Sequence, residues 1–227
     1  MFDKQKRTIA CIAAHPDDEV LFAGGSLARH IRVGHRVEIL IVASGLDSRG
    51  TASDTAHIQL RTHAETAASR LGANPPRHLA LRDNALDSIP LLKVIKPIEA
   101  FIDDVRPTIV YTHHRGDLNV DHRVVHDAVL TACRMLPDAP VERILTGETL
   151  SSSEWQSADH AAFRPNVYHN ITDTLDAKVA AMQAYSGEIR QFPHPRSSEA
   201  IKAMAALRGS TVGFEAAEAF MLVRERI

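Results

Sequence analysis

Within five residues the chain sets one imidazole beside three carboxylates: His15-Pro16-Asp17-Asp18-Glu19. Crowding like charges is unfavourable unless a cation or counter-charge neutralises them. A divalent metal is the simplest neutraliser, and His15 with Asp18 offers it one nitrogen and one oxygen. A further imidazole from a distant loop completes a two-His, one-carboxylate set that leaves a coordination position open for water. His122 is the best third ligand, at the end of His113-His114-Arg115-Gly116-Asp117-Leu118-Asn119-Val120-Asp121-His122, and His126, one helical turn on, is its rival. The plainer reading makes Pro16-Asp17-Asp18 a turn and helix cap, with acids favoured by the helix dipole. The histidine loop tips the balance to a metal. A divalent cation lowers the pKa of a bound water to about 7, which makes hydrolysis the natural chemistry.

The surrounding pattern says which elements hold these residues. Apolar runs at 8–14 and 37–43 predict strands buried on both faces, and 78–82 and 108–112 predict two more. Helical spacing covers 20–33, 55–71, 91–105 and 120–135, with Asp54 as a cap of the second helix and Gly72 as its stop. Alternating strands and helices imply parallel pairing through right-handed crossovers. After Pro140 the pattern becomes strand, Ser-rich loop and strand (142–150, 166–171), two helices (175–189, 198–207) and a closing strand at 219–224. With no repeat or linker, residues 1–227 read as one domain. Ligands of open parallel sheets bind beyond the carboxyl ends of the strands. The segments found there are 15–19, Ser44-Gly45-Leu46-Asp47-Ser48-Arg49-Gly50, Arg82-Asp83-Asn84 and the His113 loop, all polar and all on one edge.

Composition narrows the classes. The 227 residues hold 26 Lys+Arg against 28 Asp+Glu, a net charge of −2, which argues against a nucleic-acid partner. Two cysteines, Cys11 and Cys133, exclude a disulfide scaffold. Apolar runs are too short for a bilayer span, so no membrane partner is expected, and without a secretory core the default location is the cytoplasm. No Gly-x-Ser-x-Gly elbow supports a serine hydrolase, and acids after the first strand would repel a dinucleotide pyrophosphate. Arg196, in the rigid Phe192-Pro193-His194-Pro195-Arg196-Ser197 loop, is a candidate reader of a phosphate or carboxylate.

Ala14-His15-Pro16-Asp17-Asp18-Glu19 with the downstream Asp121-His122 resembles the signature of the PIG-L/LmbE-like N-acetylglucosaminyl deacetylase family. The resemblance spans nearly the whole chain. It implies an α/β, Rossmann-like three-layer sandwich with a mostly parallel sheet, and zinc-dependent removal of acetyl groups from amino sugars. Carried over by position, His15, Asp18 and His122 hold Zn2+, and Asp17 is the general base. The partner implied is a small-molecule amino-sugar substrate, and family members often assemble, so a homo-oligomer is expected. Where the family often has His-Pro-Asp-His, this chain has Asn119-Val120-Asp121-His122. Asn119, His113 or His114 is then the candidate to stabilise the oxyanion. The resemblance also turns Arg61 toward the sugar, against the alternative of a simple surface pair with Glu65; Asp83, which follows a strand, is a candidate for sugar hydroxyls, with a turn role as the alternative. The competing readings are a metal- or sugar-binding module without catalysis, and an amidase or O-deacetylase with a non-sugar substrate.

Overall fold

The computed structural model describes residues 6–46 and 53–227. The Asp47-Ser48-Arg49-Gly50 part of the second strand's loop lies outside the described residues. In order, the elements are β1 (Thr8–Ala13), α1 (Asp18–Arg32), β2 (Arg36–Ala43), α2 (Asp54–Leu71), β3 (Arg77–Leu81), α3 (Leu92–Val105), β4 (Ile109–His113) and α4 (Val120–Ala132). There follow β5 (Arg143–Gly147), β6 (Val167–Asn170), α5 (Leu175–Ala184), α6 (Ser198–Ser210) and β7 (Ala217–Glu225).

All seven strands join one sheet in the order β3-β2-β1-β4-β5-β7-β6. From β3 to β5 the neighbours are parallel; β7 runs antiparallel to both β5 and β6. Alternation along β1 explains the three layers, because successive side chains leave opposite faces of a strand. Ile9, Cys11 and Ala13 pack with α1, α2, α5 and α6, and Ala10, Ile12 and Ala14 pack with α3 and α4. The fold is the expected α/β sandwich. Both cysteines are buried and free.

Local differences have simple causes. Ser53 caps α2 by accepting the Ala56 N–H, and Asp54 is the first helical residue. Gly72 ends that helix at φ 84°, a conformation glycine adopts without penalty. Helix α5 stops at Ala184, where Tyr185 leaves helical geometry at ψ 66°.

The order 3-2-1-4-5 puts a topological switch point between β1 and β4, where crossovers leave in opposite directions and open a crevice. Residues 14–19 follow β1 and residues 114–122 follow β4, so both chemistry-bearing segments reach that crevice. The closing elements brace it from one side. Lys178 of α5 donates to Glu218 of β7 (2.6 Å) and to the Leu21 carbonyl (2.8 Å), and Glu218 accepts the N–H groups of Gly25 and Ser26. Among the described residues, no helix is long and apolar enough to cross a membrane.

Candidate metal centre and active site

Three atoms meet at the crevice from two elements. His15 Nδ1 lies 3.2 Å from Asp18 Oδ2 and 3.3 Å from His122 Nε2, and the last two are 3.2 Å apart. In a tetrahedral zinc site with bonds of about 2.0–2.1 Å, ligand atoms are about 3.3–3.4 Å apart. The triangle therefore fits such an ion with little movement. Among the described residues, His15, Asp18 and His122 form one of two groups that could hold a metal.

The second group, His15, Asp83 and Asp121, is better explained by hydrogen bonds. Asp121 accepts the backbone N–H of Asn84 (2.7 Å) and Leu86 (3.0 Å) and sits 3.0 Å from His15 Nε2. With Asp83 Oδ1 also 3.1 Å away, Nε2 carries the proton of His15 and Nδ1 presents its lone pair to the triangle. Asp117 does the same for the other imidazole, 3.0 Å from His122 Nδ1. It is itself held by Ser152 and Ser153 hydroxyls. These orienting carboxylates escaped the sequence reading, although Asp117 and Asp121 lie in the very loop that supplies His122.

His126 is turned away, its Nδ1 2.9 Å from the His113 carbonyl. His113 stacks on His122 with centroids 3.9 Å apart, and its Nε2 accepts the Ala14 N–H at 2.8 Å. His114 does not reach the crevice. Its Nε2 meets the Ala161 carbonyl at 2.7 Å and its ring meets Phe163, because adjacent residues at a strand end face opposite ways. Asn119 caps α4 by accepting the Asp121 N–H, and its Nδ2 makes only a 3.4 Å contact, with Asn84. It lines the cleft.

Asp17 stands beside the triangle with a left-handed backbone, φ 103°, at the start of α1. A non-glycine residue held there is a strained position of the kind that clusters at active sites. Its N–H is taken by Glu19, which also receives the Tyr185 hydroxyl, so Glu19 fixes the helix start. Arg196 comes from far along the chain to donate to Asp17 Oδ2 (3.0 Å) and Glu188 Oε2 (2.8 Å). Both contacts are made by Nη1, while Nε is buried without a hydrogen-bond partner among the described residues, so the guanidinium expected to read a substrate anion lines the cleft with part of its donor set engaged by the protein.

Among the described residues, the cleft above, about 170 Å3, is lined by Asp17, Asp18, Asp83 and Glu188 against the guanidinium of Arg196. Burial and the Asp18 charge hold the Asp17 carboxyl well above the usual range, against the pull of Arg196. Burial works against ionised Asp18 too, yet His122 and His113 draw it well below that range. Burial would lower His122, but Asp18 and Asp117 outweigh it and raise it to about 9. A cation held among these carboxylates would offset their mutual repulsion. Arg61 lies outside this cleft, in a neighbouring one, and forms no ion pair with Glu65 among the described residues.

An open donor triangle beside a separate carboxylate, at a sheet switch point, is the frame of a hydrolase. The chain belongs to the PIG-L family, described as GlcNAc-PI de-N-acetylase, whose model matches residues 10–133. It is 29% identical over 187 residues to YaiS of Escherichia coli K12, named as an uncharacterized deacetylase, which covers 80% of this chain and 91% of that one. It is 26% identical over 234 residues to the 1D-myo-inositol 2-acetamido-2-deoxy-alpha-D-glucopyranoside deacetylase of Mycobacterium sp. strain JLS, covering 82% and 75%. Among solved structures it is similar in fold to GalB, the 4-carboxy-2-hydroxymuconate hydratase of Pseudomonas putida KT2440, with a TM-score of 0.78 and 21% identity over 97% and 98% of the two chains. The relatives and the family make this chain an enzyme of the deacetylase class, which hydrolyses amides.

Proposed function

We propose that the chain is a zinc-dependent N-deacetylase that hydrolyses the acetamide of an N-acetylated amino sugar or its conjugate. The observation that carries this is the triangle of His15 Nδ1, Asp18 Oδ2 and His122 Nε2, with Asp17 beside it and outside it. Two imidazoles and a carboxylate suit zinc. When bound, the metal supplies Lewis acidity to the amide carbonyl and to the attacking water.

Asp17 takes the proton of that water and later delivers it to the leaving amine. Arg196 holds one of its oxygens and leaves the other to the cleft. Asn119 Nδ2 is the donor placed to stabilise the oxyanion, since its oxygen is committed to the helix cap. Asp83 is the carboxylate for sugar hydroxyls on the cleft wall. The acetamido sugar follows the mycobacterial relative's named substrate. Because the last strands complete the same sheet, the proposal takes residues 1–227 as one domain.

Elemental analysis tests the metal assignment. One zinc per chain is expected in the wild type and none in His122→Ala, with acetate release lost in step. A full zinc complement in His122→Ala contradicts the assignment.

A further inference from the structure

Asp17 occupies the N-cap place of α1 without capping it. Its carbonyl accepts the Val20 and Leu21 N–H groups, yet its side chain makes no cap hydrogen bond, unlike Ser53 before α2 and Ser197 before α6. An aspartate in that place ordinarily turns its carboxylate back onto the first turn. Its backbone, at φ 103° and ψ −29°, also lies in a region that residues with a side chain rarely adopt. A carboxylate kept in this posture needs something that stops it from relaxing into an ordinary cap.

The segment between α5 and α6 supplies two grips. Tyr185, fully buried, donates its hydroxyl to Glu19 Oε1 at 2.6 Å, and Glu19 Oε2 takes the Asp17 N–H at 3.1 Å. Where α5 breaks, the Tyr185 carbonyl accepts the N–H groups of Glu188 (2.8 Å) and Ile189 (3.0 Å), a tight turn that leaves Glu188 on the cleft wall. The Arg190 N–H then meets the Arg196 carbonyl at 3.3 Å and closes the loop, which brings Arg196 alongside Glu188. Arg196 Nη1 spans Glu188 Oε2 (2.8 Å) and Asp17 Oδ2 (3.0 Å). The first grip fixes the backbone of Asp17 and the second its carboxylate. Tyr185 is not among the described residues that line the metal cleft, and neither Tyr185 nor Glu188 belongs to the donor triangle.

We infer that this segment is a clamp on the base: Tyr185, acting through Glu19, and Glu188, acting through Arg196, are positioning residues for Asp17. The inference rests on the reading of Asp17 as the general base. It gives the stretch between α5 and α6 a part in the reaction, where a helix start held by Glu19 alone would need no second grip from the same loop.

Steady-state acetate release on zinc-loaded Tyr185→Phe and Glu188→Ala tests it, each made alone and together with Asp17→Asn. Each single variant is expected to lower kcat about 10- to 100-fold, the scale of a misplacement of about 1 Å. Zinc should stay at the wild-type level, and KM in Tyr185→Phe should stay near that of the wild type. On top of Asp17→Asn, where no base is left to position, each is expected to cost less than about twofold. A kcat within about twofold of wild type in either single variant, an equal loss in both backgrounds, or a loss of zinc overturns the clamp. Amide exchange at Asp17 reads the backbone grip without turnover. Tyr185→Phe is expected to speed it about tenfold or more, and unchanged exchange overturns that grip. A wild-type protein that releases no acetate, while Tyr185→Phe speeds the exchange, removes the deacetylase reading and keeps the clamp. Normal release with no coupling to Asp17 does the reverse.

Discussion

Replacing Asp17 with Asn removes proton acceptance and little else. The amide oxygen can still accept the Arg196 hydrogen bond now made at 3.0 Å. Asp17 contributes no atom to the triangle of His15, Asp18 and His122, so metal content should stay at the wild-type level. A positioned general base is worth about 10²–10⁴ in rate, which corresponds to about 2.7–5.4 kcal/mol in the barrier. The loss should therefore fall on kcat, with KM nearly unchanged, because the groups that line the cleft and hold substrate remain in place. The assay is acetate release under saturating substrate, with zinc measured on the same samples. A kcat within tenfold of wild type with zinc retained refutes Asp17 as the base. Loss of zinc would instead make Asp17 a ligand and displace Asp18.

Lys178 and Glu218 form a buried ion pair, 2.6 Å apart and each 5% exposed, so Lys178→Met strands a carboxylate in the core. Denaturant unfolding should show about 3–5 kcal/mol less stability, and a change below about 1 kcal/mol would contradict the pairing argument. His169 packs between Tyr111, Phe220 and Ser26, and burial, with Arg29 and Arg143 near, pushes it down to about 3. The unfolded chain takes up that proton near about 6.5, so the stability His169 confers is full above about 6.5 and is lost as the pH falls toward 3. His169→Gln should flatten the fall in unfolding free energy between about pH 6.5 and 4; an unaltered slope would show that other groups govern it.

The central strands and the sheet edge that carries the chemistry were legible because buried parallel strands are nearly continuous apolar runs, and the polar residues follow them directly. Helix spacing alone did not separate His122 from His126, which lie one turn apart; the His113 carbonyl does so by engaging His126. Nor could adjacent His113 and His114 be told apart from sequence, since the choice depends on which side of β4 the crevice opens. The insertion of β7 between β5 and β6 depends on pairing across long stretches of chain, to which a local pattern is blind. For the same reason Arg196 read as a free basic residue. Its partner Asp17 is 179 positions away, and nothing near Arg196 in sequence announces it. The i,i+4 spacing of Arg61 and Glu65 left a surface pair open beside the preferred sugar-facing role, and Arg61 lines a cleft next to the metal cleft.

The most direct test of the central claim is the product balance from an N-acetylated amino sugar. Zinc-loaded protein is expected to release acetate and free amine in equal amounts, to stop when the metal is removed by a chelator, and to resume when zinc is restored. Acetate released from oxygen esters alone, or equal turnover before and after chelation, would contradict it.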